Sequence, residues 1–424
     1  MILKRKTLKS LSYSEGIAYS LMVASTETYA LIHFARLNQN PLSLGILAGL
    51  PQVIGSFLLY WAPAKIERHH LPLALFWSMA IQALGVFILF LSASQGATLS
   101  ANLLGLSLYW IGGMGTSSLW ADWMAPKIGA AHFGEFIAKR NAITMLGQLV
   151  FFTGLAFVAE SYLSYPDLFL LGLVARIVSM AIQLFLFKFQ VEEEHVPFPQ
   201  ESRAPAITTG HLDDEKFLSF NFVTGIFRLT IGLCSTFFLP YMLYTLKLST
   251  QDYVFLTAIP MLARAIFVTK WARSGQLAGH LFSLEVSAIG VALLPVMWNF
   301  GNHFSYIVFM QILSGIFWSG HDISTALLVQ DLYHGRSRRP LGLLQATYTI
   351  AGLGGSFLGA SMLTILPDYN FLFSLSTGFR LFAAGGMISY FNHFYGGTKF
   401  SPRKSALFLM SIFGRSSKVD ERLK

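Results

Sequence analysis

The chain has 424 residues, of which 54% are hydrophobic, 15% aromatic and only 12% charged. A soluble domain carries about 25% charged residues, so this chain lacks the charge to solvate a globular surface in water. The formal charge of +9 would suit a nucleic-acid binder, but the basic residues fall mostly in alternate loops, as membrane topology requires, and nucleic acid is excluded as a partner.

Apolar runs near 20 residues recur along the chain, the length needed to cross ~30 Å of hydrocarbon as a helix. They are continuous rather than alternating, which excludes a membrane β-barrel. The N-terminus, MILKRKTLKSLSYSEG, is basic but has no compact apolar core before a cleavage site, so it reads as a cytoplasmic start. In chain order the spans are expected near 12–35, 42–62, 71–91, 101–121, 141–159 and 167–187. A polar, proline-rich linker follows at 188–216, and then spans near 217–245, 250–270, 280–298, 303–329, 341–363 and 370–391. The expected fold class is an all-α polytopic membrane protein with twelve helices in two six-helix bundles, 1–187 and 217–391. A basic tail at 392–424 would carry an interfacial helix over Ala406–Phe413, held at the lipid headgroups.

Lys and Arg set the orientation. Twenty-four of them fall on the side of the termini and linker, and only Arg36 and Lys247 on the other. Both termini are therefore expected in the cytoplasm, with the protein in the cell's inner membrane. Cys234 is the only cysteine, so no disulfide or thiolate metal site is expected. No GxxxxGK[ST] stretch is present, which argues against ATP-driven pumping by this chain.

The two halves repeat. Gly16, Pro51 and Asp122 match Gly225, Pro260 and Asp331 at an offset of 209. Gly147 and Gly154 match Gly352 and Gly359 at 205, and Arg176 matches Arg380 at 204. With six spans in each half, a central linker, and Asp122 and Asp331 each leading into a basic stretch, the chain resembles the major facilitator superfamily over essentially its full length. The loop after span two, YWAPAKIERHHLP, keeps that family's basic character without its Gly and Asp. The paired-glycine antiporter signature is missing from span five, NAITMLGQLVFFTGLAF. The resemblance implies fold rather than subfamily. It also implies alternating access to a central site, with spans one, four, seven and ten lining the cavity.

Charges inside spans are costly and are candidates for function by default. Glu27, ~23 Å along span one at 1.5 Å per residue, could take up and release a proton, or could be an acid locked to an arginine for packing. Arg228 in span seven could bind a carboxylate or phosphate through its planar fork, or could be the counter-ion of Glu27. His321 and Asp322 in span ten diverge by about 100° and suit either proton coupling or an interhelical hydrogen bond. Trp318 shares a stripe with Asp322 and is a candidate substrate contact. On span four, Tyr109, Gly113, Thr116 and Trp120 share one face, which suits a cavity wall or close helix packing. Arg176, Arg380, Arg264 and Glu285 are expected to be structural charges, the last two as a pair. Asp122 with Arg140 and Asp331 with Arg339 are expected at a cytoplasmic gate.

No metal or cofactor is expected, and no nucleophile–base cluster marks an enzyme. The expected function is a monomeric secondary transporter of a small organic solute, coupled to protons through Glu27. The alternative is a non-transporting member of the same fold, acting as a sensor or assembly partner.

Overall fold

The computed structural model describes residues 5–37, 40–61, 66–96, 98–188, 211–332 and 338–394. Most of the expected linker, and the tail with its interfacial helix, lie outside the described residues. The chain divides into two compact units, Met1–Glu215 and Lys216–Lys424. Their boundary falls at the end of the polar stretch, in the first turns of the helix that begins at His211. Among the described residues every regular element is helical.

The first unit holds α1 (Arg5–Leu37), α2 (Pro41–Trp61), α3 (Leu71–Gln95), α4 (Leu99–Ile128), α5 (Ala130–Tyr162) and α6 (Tyr165–Phe187). The second holds α7 (His211–Ser235), α8 (Thr250–Ala278), α9 (His280–Met297), α10 (Phe304–Leu332), α11 (Arg338–Ile365) and α12 (Tyr369–Phe394). After Ser235, α7 loosens into one short turn at Phe238–Pro240 and a wider π turn at Tyr241–Thr245. Pro240 has no N–H to give to the ladder there, which loosens it.

Among the described residues, nine helical stretches are long and apolar enough to cross a membrane. The expected spans one, two and four are not among them. In α1 and α4 the cause is polarity, since Ser20, Ser25, Thr26 and Glu27, and Asn102, Ser107, Thr116 and Ser117, dilute the apolar run. Outward faces carry Trp77, Phe157 and Phe382 at 57%, 66% and 84% exposure. Aromatics this exposed suit a hydrocarbon surround better than water.

Sequence and structure differ at the stretch expected to be a basic loop after span four. It is helical almost throughout, with α4 and α5 meeting at Gly129, where φ is 86°. Only glycine adopts this conformation at no steric cost. Trp123, Met124, Ile128 and Phe136 pack into one core with Leu71, Leu75 and Met79. Charge ended the span in the sequence, but it did not end the helix, because an amphipathic helix continues past the hydrocarbon as long as one face is buried.

Helix starts use local chemistry. Ser164 and Asp167 form a reciprocal capping box at α6, and Ser249 and Asp252 another at α8. Close packing depends on missing side chains. A Cβ on Gly85 of α3 would lie 2.5 Å from the Tyr109 nitrogen of α4, and one on Gly112 of α4 would collide with the Gln82 and Ser78 backbone of α3. These glycines let two backbones touch where no apolar driving force between helices exists in lipid. Gly112→Ala should therefore push α3 from α4 and cost about 1–3 kcal/mol. A lowered thermal midpoint of the detergent-purified protein would show it, and an unchanged midpoint would show that the helices yield freely.

Candidate functional site

In the first unit, α1, α4, α5 and α6 bring together a buried ionic network. Glu15, 3% exposed, holds Arg140 at 2.5 Å and accepts a hydrogen bond from the Ser179 hydroxyl at 2.8 Å. Arg176, fully buried, donates to Ser179 at 3.2 Å and to the Thr116 hydroxyl at 3.1 Å. The Arg140 guanidinium lies 3.9 Å from the centroid of the Trp120 ring, a cation–π contact strengthened by exclusion of water. Beside it a cavity of about 240 Å³ is lined by Glu15, Tyr19, Thr116, Trp120, Arg140 and Asn141.

Sequence reasoning missed Glu15. It lies within the expected span at 12–35 without being singled out there, yet Ser12, Glu15 and Met22 share one helical stripe with Tyr19 and are buried. That spacing was the available signal. Arg140, expected beside Asp122 at a gate, is instead bonded to Glu15. Asp122 is half-buried near the end of α4, and the side chains of Asp331 and Arg339 lie outside the described residues.

Glu27 stands apart from this network. It is half-buried and accepts a hydrogen bond from Tyr109 at 3.3 Å. Among the described residues of its own unit, no Lys or Arg lies within ion-pair distance of it. Tyr109, Thr116 and Trp120, expected as substrate contacts, are 2%, 8% and 5% exposed. Their hydrogen-bonding and ring contacts go to Glu27, Arg176 and Arg140 respectively.

The second unit gathers its charges on Asp322. Its Oδ1 accepts from Arg228 at 3.3 Å, and its Oδ2 is bonded to Arg264. Both guanidinium groups lie over Trp318, at 4.9 and 5.9 Å from the ring centroid, and Arg228 also lies 4.6 Å from that of Tyr348. Arg228, Arg264 and Asp322 are 23%, 40% and 44% exposed. A pocket of about 380 Å³ is lined by Arg228, Asp322, Thr325, Gln345 and Tyr348. Two guanidiniums on one carboxylate leave a net positive charge with N–H donors to spare.

Arg264, expected on Glu285, thus belongs to the Asp322 cluster instead. Glu285 is buried on α9. His321 and Asp322 diverge as helix geometry requires. His321 is 1% exposed and its ring stacks on Phe227 at 5.6 Å, with Nδ1 3.6 Å from Asp322 Oδ1. At that distance the two side chains are in electrostatic contact without a hydrogen bond, and the imidazole is buried. A group unforeseen from sequence, Glu67, His69 and His70, has potential metal-ligand atoms within 4.8 Å of one another. All three are exposed and come from one turn of chain.

This arrangement of helices is shared with solved structures over nearly the whole chain. The nucleoside transporter NupG superposes with a TM-score of 0.70 at 15% identity, over 93% of this chain and all of that one. An aspartate-to-alanine variant of the same transporter gives 0.68 at 13% identity, over 91% of this chain and all of that one. No protein-family model and no curated protein matches the chain.

Removing one partner of a buried ion pair leaves the other charge uncompensated, a loss of about 3–5 kcal/mol. Glu15→Gln should therefore lower the thermal midpoint far more than Asp322→Asn, whose partners are partly solvated. Equal effects of the two substitutions, read by thermal denaturation in detergent, would contradict a structural role for Glu15.

Proposed function

We propose that this chain is an integral membrane protein that moves a small organic solute across the inner membrane by alternating access, coupled to protons through Glu27. It acts as a monomer, with both termini in the cytoplasm. The observation that carries this reading is the Asp322 cluster: Arg228 and Arg264, partly exposed, beside Trp318, Tyr348 and a pocket of about 380 Å³. Charge placed inside a span is maintained against a large solvation penalty where it serves a solute or ion path. The aromatic faces suit a flat ring, and the spare guanidinium donors suit carboxylate, phosphate or carbonyl oxygens.

The likeness to a nucleoside transporter makes nucleosides the first solutes to test, with ring-bearing organic anions second. Glu27 supports proton coupling because a hydroxyl, not a cation, is its hydrogen-bond partner. A carboxylate without a fixed counter-charge changes protonation at lower cost than one held by an arginine.

Proteoliposomes holding only this protein should accumulate a radiolabelled substrate when an inward proton gradient is imposed. Glu27→Gln should keep the fold and lose the dependence on that gradient. Gradient-driven uptake unaltered in the mutant would remove Glu27 from the coupling step. Absence of flux for nucleosides and organic anions alike, with well-folded protein, would favour the sensor or assembly reading over transport.

Arg228→Lys keeps the charge and loses the planar fork. Affinity for an anionic or carbonyl-rich substrate should fall about tenfold or more, in line with the loss of one charge-assisted hydrogen bond. A dissociation constant equal to that of the parent would mean that Arg228 holds Asp322 only.

A further inference from the structure

Arg380 on α12 is 2% exposed, yet every ligand it has is neutral as drawn. It donates to the main-chain oxygens of Val291 and Ile231 and to Cys234 Sγ, each at 3.1 Å. Its Nε–H is buried without an acceptor, and among the described residues no carboxylate pairs with it. A guanidinium offers five N–H donors and stays protonated inside proteins. Three donors are used, so two remain together with a full positive charge.

The repeat shows what is missing. Arg176, the counterpart of Arg380 in the first half, reaches the carboxylate of Glu15 through the Ser179 hydroxyl. At the matching offsets the second half carries Thr224 in place of Glu15 and Ala383 in place of Ser179. The buried arginine was kept and its acid was not. The remaining acids of the second unit's interior do not replace it. Asp322 is bonded to Arg228 and Arg264. Glu285 lies on α9 six residues before Val291, ~9 Å along the axis.

Arg380 also lines a cavity of about 180 Å³, with Ser235, Gln311 and Ser314 as polar neighbours and Phe238, Trp298 and Trp318 as aromatic ones. An apolar cavity of about 150 Å³ holds a benzene molecule, so this one accommodates a single six-membered ring or a short chain. An unpaired buried cation opening on a cavity of mixed lining is a site built for a negative charge. We propose that Arg380 and this cavity bind a compact monovalent anion, supplied either by chloride or by the carboxylate of a small organic acid whose body packs on Phe238 and Trp298. The site adjoins the Asp322 cluster, with which it shares Trp318, but it is centred on a different arginine, and its existence does not depend on the chain's being a transporter.

The test uses the full chain in detergent, in chloride-free sulfate medium, titrated with sodium chloride, benzoate or the neutral isostere benzamide. Chloride or benzoate should raise the thermal midpoint saturably by mass action, and benzamide should not. A response to benzoate alone assigns an organic carboxylate, and a response to chloride alone assigns a halide. Gln311→Glu sets a carboxylate on the cavity wall and is nearly isosteric. It should weaken anion binding about tenfold or more through like-charge repulsion, without loss of stability in the anion-free medium. No shift with either anion in the parent would overturn the proposal. So would an undiminished shift in Gln311→Glu that disappears in Arg264→Gln, because the anion would then sit on the Asp322 cluster.

Discussion

Each buried charge in this molecule must find a partner, because water is excluded both inside the helix bundles and in the lipid around them. That constraint organises the interior of each unit. In the first, Glu15 answers two arginines, Arg140 directly and Arg176 through Ser179. Three helices are tied together by that one carboxylate, and Arg176 extends the network to Thr116 on a fourth. Attraction between apolar faces cannot do this work in a bilayer, where the tails outside are as apolar as the leucines within. Direct backbone contact at Gly85 and Gly112, and ionic bonds at Glu15, take its place.

The two halves share a plan but answer the constraint differently. The first unit joins Arg140 and Arg176 to one carboxylate, Glu15, directly and through Ser179, and gives Glu27 a tyrosine as its hydrogen-bond partner. The second sets Arg228 and Arg264 against a single Asp322, and Arg380 against main-chain oxygens and a thiol. In the second unit Arg228 and Arg380 thereby stand beside aromatic rings and open space. The sequence repeat supplies similar scaffolds twice, and different residues at matched positions, Glu15 against Thr224 and Ser179 against Ala383, give the two buried arginines unequal partners.

Much of the fold was legible without coordinates. Hydropathy placed most of the helices, and the polar stretch at 188–216 contains the boundary between the two units. Polarity misled in two ways. It made the stretch between α4 and α5 look like a loop, although Trp123, Met124 and Phe136 bury one face of it. It also drew no notice to Glu15, close to the polar end of the expected first span. Arg176 and Arg380 were recognisable as a symmetric pair, but their unequal partners were not.

The sequence by itself determined the class of protein, because a composition with 12% charge and repeated apolar runs admits few environments. It also determined which charges are out of place, since an arginine or aspartate amid twenty apolar residues is conspicuous anywhere. Only the tertiary structure decided which charge meets which. Arg264 lies 58 residues from Asp322, and Glu15 lies 125 from Arg140. An ion pair forms between side chains that packing brings within a few ångströms, and separation along the chain carries no trace of that distance.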